Sequence, residues 1–263
     1  GPMMNIDQVR TFLEIAATLT FSAVDGPGNR YVIFLQGCNF DCVACHNPST
    51  IGRCDACGSC VPACPHGALS SSTSGVVVYD AASCDRCRAC LVPCPIDSDP
   101  AVRLIASAAM VEEVREVAAF LTEITVTGGE PTMQLDGLIG LFSGIKEDPG
   151  LSRLTTLVDS NGNLPQRGWE RLVPVMDGAM IDLKGASDDL HPRLTKPSNQ
   201  PVKDSIRFLA ENGKLTEVRI LVIEGVTDTD AELAGWAEFV TGVDPDVPVR
   251  VMGFRHQGTR TPA

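Results

Sequence analysis

The chain has 263 residues, enough for one large domain or two modest ones with a sizeable core. Its net charge of −12, from 21 basic and 33 acidic residues, disfavours nucleic acid as a partner, because that binding rests largely on Lys and Arg meeting phosphates. No apolar run approaches about 20 residues and no signal peptide is recognisable, so the sequence predicts a cytoplasmic protein without a membrane span.

Six strand-like apolar runs alternate with helix-like segments along the chain. The first run, YVIFLQG, lies just before Cys38, and EITVTGG, LTTLVDS, GAMIDLK, EVRILVIEG and VPVRVMGF follow a cysteine-rich segment. Stretches with helical spacing, such as MVEEVREVAAFLTE and VKDSIRFLAENG, separate them. Near-continuous apolar strands alternating with helices indicate parallel pairing covered by helices. A complete eightfold barrel needs two more units, so the sequence predicts an α/β fold with a partial, open (β/α)6 barrel.

Eleven cysteines fall into three groups, and none lies after residue 94. Disulfides are typical of small secreted proteins, so this grouping indicates metal ligands instead. The groups are Cys38, Cys42 and Cys45; Cys54, Cys57, Cys60 and Cys64; and Cys84, Cys87, Cys90 and Cys94.

The first group holds three cysteines, whereas a structural metal site normally closes with four ligands. Three thiolates on a [4Fe–4S] cluster leave one iron without a protein ligand, and an open coordination position distinguishes a reactive metal from a structural one. His46 follows Cys45 directly, and adjacent Cys and His side chains seldom reach one cluster together. We therefore predict a reactive cluster on Cys38, Cys42 and Cys45; an incomplete or zinc-binding site is the alternative.

The other two groups repeat the Cys-x2-Cys-x2-Cys-x3-Cys-Pro run of bacterial ferredoxins, in which the fourth cysteine ligates the other cluster. Structural zinc is the alternative. Residues 53–96 are poor in large apolar side chains, which predicts an inserted ferredoxin-like minidomain held together by its metals, between core segments 3–52 and 97–263. One [4Fe–4S] cluster is assigned to Cys54, Cys57, Cys60 and Cys94, and the other to Cys84, Cys87, Cys90 and Cys64.

The motif Cys38-x3-Cys42-x2-Cys45 resembles the signature of radical S-adenosylmethionine (SAM) enzymes. DGPGNRYVIFLQGCNFDCVACHNP followed by two ferredoxin runs resembles the glycyl radical enzyme activating enzymes, and LVDSNG and DGAMIDLKG are similar to the YjjW family of glycine radical enzyme activases. The resemblance implies an anaerobic oxidoreductase in which reduced SAM breaks to a 5′-deoxyadenosyl radical. That radical takes a hydrogen from a glycine Cα of a partner enzyme. A flavodoxin- or ferredoxin-type reductant and a chain that is monomeric when free are also implied.

The resemblance also implies which residues hold SAM. Gly128, Gly129 and Glu130 match a motif that holds the amino group of SAM; a tight strand-to-helix turn is the alternative. Lys184 would meet the carboxylate, and Asp159 and Asp182 would support it and bind a monovalent cation. A salt-bridged pair on the outer face is the alternative for Asp182 and Lys184, which share one face of a strand.

The sequence departs from the family pattern at two positions. Many relatives carry an aromatic residue before the third cysteine, where this chain has Ala44. The family histidine that holds the ribose matches Arg255 by register, with His256 one residue on; a solvent-exposed histidine is the alternative. Asp25–Gly28, a turn by composition, is read as support for the cluster loop or as a partner contact.

Two other functions remain open at this point. A radical SAM enzyme acting on a small molecule shares the same motifs. A non-catalytic iron–sulfur electron carrier needs only the ferredoxin runs, and it leaves the glycine-rich and Asp-x-Lys strand ends unexplained. The sequence does not identify the partner enzyme, its metabolite or the role of the two inserted clusters.

Overall fold

The computed structural model describes residues 11–22, 29–255 and 259. The described ranges contain ten strands and six α-helices, with short 3-10 turns between them. The strands are β1 (Phe12–Ser22), β2 (Arg30–Leu35), β3 (Leu69–Ser71), β4 (Val77–Tyr79), β5 (Arg103–Ala106), β6 (Glu123–Gly128), β7 (Thr155–Ser160), β8 (Gly178–Asp182), β9 (Leu215–Val222) and β10 (Val249–Gly253). The helices are α1 (Ser107–Val117), α2 (Leu135–Glu147), α3 (Gln166–Leu172), α4 (Leu190–Thr195), α5 (Gln200–Glu211) and α6 (Asp230–Val243).

Eight strands form one open sheet in the order β10-β9-β8-β7-β6-β2-β1-β5. The six strands predicted from the sequence are β2 and β6 to β10, and each pairs in parallel with its neighbour. An α/β fold with a mostly parallel central sheet is thus confirmed. Parallel strands bring their carboxyl ends to one edge of a sheet, so the loops that follow these six strands meet on one side of the molecule.

Burial explains why these segments adopt their structures. The first four residues of β6 and of β8 are buried, as expected for strands covered on both faces. Helix α2 buries Leu138, Leu141, Phe142 and Ile145, which recur at the spacing of one helical face. Helix α6 begins at Asp230 and is capped by Thr229, whose hydroxyl oxygen accepts a hydrogen bond from the backbone N–H of Glu232 at 3.2 Å.

Two antiparallel strands extend the sheet beyond the predicted set. Strand β1 pairs with β2 on one side and with β5 on the other. Leu13 and Ile15 on β1 are buried and belong to the core. Sequence analysis did not predict these two strands: β5 has only four residues, whereas the alternation along β1 was a usable strand signal.

The cysteine-rich segment lies outside the main core. Between residues 53 and 96, the buried apolar side chains are Cys60, Ala68 and Leu69, and none of them belongs to the large core cluster. Its regular structure is the two-stranded hairpin of β3 and β4 and a short 3-10 turn at Ala89–Leu91. So small a core agrees with a segment that depends on bound metal for its fold, although the domain boundaries themselves stay a prediction.

Among the described residues, no helix combines the length and the apolar character needed to cross a bilayer.

Candidate active site

The carboxyl ends of the parallel strands surround one cavity of about 370 Å³. Three sides of its wall come from the three-cysteine loop, from the ends of β6, β7 and β8, and from β9, β10 and the end of α4. The predicted site residues that line this cavity are Cys38, Cys42, Cys45, Gly128, Gly129, Asp159, Asp182 and Lys184. The fold therefore brings eight predicted residues from separate parts of the sequence to the lining of one cavity.

Backbone hydrogen bonds fix the three-cysteine loop from two sides. On one side, the N–H of Gly37 donates to Thr50 O at 2.7 Å and that of Cys38 donates to Ile51 O at 3.0 Å. On the other side, Asp41 and Val43 donate their N–H groups to the carbonyls that end α4. All three cysteines are half-buried and not disulfide-bonded.

The donor set of this loop fits an iron–sulfur cluster. Three soft thiols face one cavity, and thiolates are the ligands that such clusters prefer. Burial raises the pKa of the Cys38 thiol to about 12 and that of Cys42 to about 11, so both thiols must lose a proton when a metal binds. The ring of His46 lies 6.0 Å from the ring of Phe254, centre to centre, and no fourth cysteine lines the cavity.

Gly128 and Gly129 must be glycines because the backbone at the end of the neighbouring strand β2 leaves no space for a side chain. An ideal Cβ at Gly128 would lie 2.2 Å from Leu35 N, and one at Gly129 would lie 2.1 Å from Gly37 O. Both contacts are with backbone that cannot move aside, and Gly128 also has a φ of +121°. Close packing against β2 thus requires both glycines, while their exposed side lines the cavity.

Glu130 does not reach the cavity wall. Its side chain is fully buried, and its carboxylate accepts hydrogen bonds from the backbone N–H and hydroxyl of Thr132, from the Ser160 hydroxyl and from the backbone N–H of Asn161. These four donors lie 2.6–3.0 Å away. Burial raises the pKa of Glu130, while the four hydrogen bonds oppose that rise. The geometry makes Glu130 a link between the ends of β6 and β7, and its assignment to the amino group of SAM stays a prediction.

The charged residues of the cavity form a compensated cluster. Lys184 Nζ lies 2.6 Å from Asp182 Oδ2, and Arg219 Nη1 lies 2.8 Å from Asp159 Oδ2. Burial and the nearby charge of Asp182 raise the pKa of Asp159 to about 6. Burial alone would lower the pKa of Lys184, but Asp182 and Cys42 raise it above its usual value. Asp182 Oδ1 is buried and has no hydrogen-bond partner among the described residues, so one carboxylate oxygen remains available to a ligand.

Three other sequence expectations concern the mouth of the cavity. Arg255 and Ala44 both line it. His256 and the Asp25–Gly28 turn lie outside the described residues.

The insert brings its cysteines together in two sets. Cys64, Cys84, Cys87 and Cys90 line one small cavity. Burial raises the pKa of the Cys60 thiol, and the nearby charges of Cys54, Cys94 and Cys57 raise it further. The second set thus draws Cys64 from the first run, and the assignment of two clusters to these cysteines stays a prediction.

Three features of the site were not found in the sequence. Asn161 donates to Cys38 Sγ at 3.8 Å and to Asn39 Oδ1 at 2.7 Å, although its position directly after a strand-end Asp-Ser was a usable signal. Arg219 lies within the largely apolar strand β9, and the pattern of polar and apolar residues along that strand does not indicate that Arg219 forms a buried ion pair. Helix α4 has six residues and a proline at its third position, too short for periodicity to reveal it.

Residues 32–237 match the Radical SAM superfamily, which is more than half of the chain. The chain belongs to this superfamily. It is 29% identical over 230 residues to the pyruvate formate-lyase-activating enzyme of Streptococcus mutans, a match covering 86% of this chain and 71% of that protein. It is 30% identical over 224 residues to the trans-4-hydroxy-L-proline dehydratase activating enzyme of Clostridioides difficile, covering 80% and 73% of the two chains.

Among solved structures, QueE from Escherichia coli superposes with a TM-score of 0.58 over 95% of this chain and 88% of that one, at 12% identity. This likeness supports the fold. The predicted membership among glycyl radical enzyme activating enzymes is confirmed by the sequence relatives, and the finer resemblance to the YjjW family stays a prediction. Membership of the superfamily implies a [4Fe–4S] cluster and SAM as cofactors of this radical SAM enzyme.

Replacing Lys184 by Met is expected to weaken SAM binding about tenfold or more, because a charged hydrogen-bond donor is removed from the cavity and Asp182 loses its partner. Affinity is measured by anaerobic equilibrium dialysis on reconstituted protein. The control is Lys203→Met, which removes the Lys203–Asp188 pair outside the cavity and should leave affinity unchanged. Equal affinities for the two variants would rule out a SAM contact at Lys184.

Proposed function

We propose that the chain activates a glycyl radical enzyme by removing a hydrogen atom from one of its glycines. The observation that carries the proposal is that one cavity has both groups on its wall: three half-buried cysteines on one loop face a half-buried Lys–Asp pair at the end of β8. The relatives named above are activating enzymes. A cavity open at the carboxyl edge of the sheet suits a substrate that is itself a protein loop.

When bound, the reduced cluster supplies one electron to SAM, giving methionine and the 5′-deoxyadenosyl radical that takes the hydrogen. Cys38, Cys42 and Cys45 would hold three of the four irons. Lys184 would bind the carboxylate of SAM, and the free Oδ1 of Asp182 would accept either its ammonium group or a monovalent cation. The apolar part of the wall, formed by Leu194, Leu221 and Met252, would exclude water from the radical.

The insert would hold two further [4Fe–4S] clusters, giving three per chain. Support comes from the two cysteine sets and from the small apolar core, which leaves the metals to stabilise the fold. An electron of low potential from a flavodoxin or ferredoxin would enter through this segment. The cysteines form no disulfide, which fits a reducing cytoplasm.

The direct test uses a panel of glycyl radical enzymes of the classes that the relatives activate, each labelled with deuterium at the glycine Cα. Anaerobic incubation with SAM and reductant should give a glycyl radical signal in electron paramagnetic resonance (EPR) and one deuterium in 5′-deoxyadenosine. The control omits the partner. The alternative, a radical SAM enzyme that acts on a small molecule, would be favoured by two results together. The 5′-deoxyadenosine would contain no deuterium with any of the partner enzymes, and a small molecule would be turned over.

Replacing Cys38, Cys42 and Cys45 by Ala together is expected to lower iron from about twelve to about eight per chain and to abolish SAM cleavage. Iron is measured after anaerobic reconstitution, and 5′-deoxyadenosine after reduction with dithionite. The matched variant, Cys84→Ala with Cys87→Ala, should lose iron and still cleave SAM with dithionite. Cleavage that survives the first change would contradict the assigned site and favour the electron carrier.

SAM affinity is expected to fall as the pH is lowered through about 6, approaching tenfold per pH unit. Below that pH, Asp159 binds a proton, and the loss of its negative charge beside Arg219 leaves the cavity one unit more positive, which disfavours the sulfonium cation of SAM. In the Asp159→Asn variant, the affinity for SAM should be lower than in the wild-type protein and should not change with pH around 6. The control Asp136→Asn, which alters an exposed pair with Arg171, should keep the wild-type profile, and a wild-type profile in Asp159→Asn would contradict this assignment.

A further inference from the structure

The two cysteine runs of the insert repeat one backbone conformation at an offset of 30 residues. Ala56 and Arg86 both have a φ of +63°. Gly67 and Asp97 correspond in the same way, with φ values of +64° and +50°. The N–H groups of Ala56 and Arg86 each donate to the sulfur of the cysteine two residues earlier at 3.4 Å. The segment is thus a structural duplication.

Arg88 differs from its counterpart in this duplication. The first run has Gly58 there, with a φ of +75°, and the second run has Arg88, with a φ of +63°. A long side chain in the left-handed region is strained, and such strain persists where the surrounding structure holds the residue in place. The Cβ that Gly58 lacks would face Ser71 of the insert's own hairpin at 3.7 Å.

The side chain of Arg88 reaches out of the insert to the core. Arg88 Nη2 donates to Ser49 Oγ at 3.0 Å. Ser49 is buried, and its carbonyl oxygen accepts hydrogen bonds from Gln36 Nε2 at 2.8 Å and from the backbone N–H of Asp99 at 3.0 Å. Ser49 therefore bonds to a residue just after β2, to one within the insert and to one just after the insert.

Ser49 belongs to the segment that fixes Cys38. The next two carbonyls along the chain, those of Thr50 and Ile51, accept the N–H groups of Gly37 and Cys38 at 2.7 and 3.0 Å. A displacement of Ser49 would thus pass directly to the first cluster ligand. Arg88, between Cys87 and Cys90, ties this segment to the second cysteine set of the insert.

We propose that Arg88 is a positioning residue that holds the second cysteine set of the insert against the three-cysteine loop. This role has a consequence that rests on the proposed function. Electrons would reach the three-cysteine loop from the second cysteine set of the insert rather than from the first set. When the clusters are bound, the second cysteine set would hold the one that gives up an electron and is oxidised, and the three-cysteine loop would hold the one that accepts the electron and is reduced. A flavodoxin or ferredoxin of low potential then replaces that electron.

The test compares Arg88→Gly with Arg86→Gly in the anaerobically reconstituted protein. Both changes relieve a positive φ in the same loop, but Arg86 packs 5.8 Å from the centre of the Tyr79 ring within the insert. Amide hydrogen exchange over residues 47–51 should become about fivefold faster in Arg88→Gly and stay unchanged in Arg86→Gly. Ser49→Ala removes the acceptor without touching the backbone of Arg88 and should repeat the first result. Unchanged exchange in both Arg88→Gly and Ser49→Ala would overturn the positioning role.

A second measurement tests the electron route. With reduced flavodoxin as donor, freeze-quench EPR should show reduction of the three-cysteine cluster about tenfold slower in Arg88→Gly than in Arg86→Gly. Equal rates would overturn the route. Cleavage of SAM by the wild-type protein with dithionite checks the proposed function separately: if it is absent, the proposed function fails, whereas the exchange measurement still decides the role of Arg88.

Discussion

The ends of β2 and β6 approach so closely that no side chain fits between them, and the site depends on this contact. Gly128 and Gly129 supply the two positions without a Cβ, which lets the backbone pairing continue past the strands. Gly129 donates to Leu35 O at 2.8 Å and Glu130 donates to Gly37 O at 2.7 Å. The three-cysteine loop therefore starts from a fixed point, one residue before Cys38.

The same contact places Glu130 under the end of β7. A buried carboxylate is costly unless donors surround it, and here four donors do so. Two of those donors belong to Ser160 and Asn161, directly after Asp159. The contact between β2 and β6 thus also sets the position of the charged cavity wall, where each carboxylate has a cation beside it. The two ion pairs therefore balance the charges of that wall.

Sequence reasoning located the features that have a strong local signal. The six parallel strands are continuous apolar runs, and the cysteine spacings leave few chemical interpretations. Position in the chain predicted that Asp159, Asp182 and Lys184 lie at the ends of strands, and parallel pairing was enough to bring them together. The features that sequence reasoning did not predict depend on contacts between distant segments. They are the pairing of β1 with β5, the partners of Glu130 and the ion pair of Arg219 on β9. A polar residue within a strand reads as exposed unless its partner, 60 residues away here, is known.

The fixed cluster loop has a consequence for how the protein acquires its metal. Flexible metal-binding peptides lose conformational entropy when they close around an ion, and this loss reduces their affinity. In this chain the backbone hydrogen bonds from segment 50–51 and from the end of α4 already order the loop around Cys38 and Cys42. An iron–sulfur cluster that binds to this ordered loop would therefore cost less conformational entropy than one that binds to a flexible peptide.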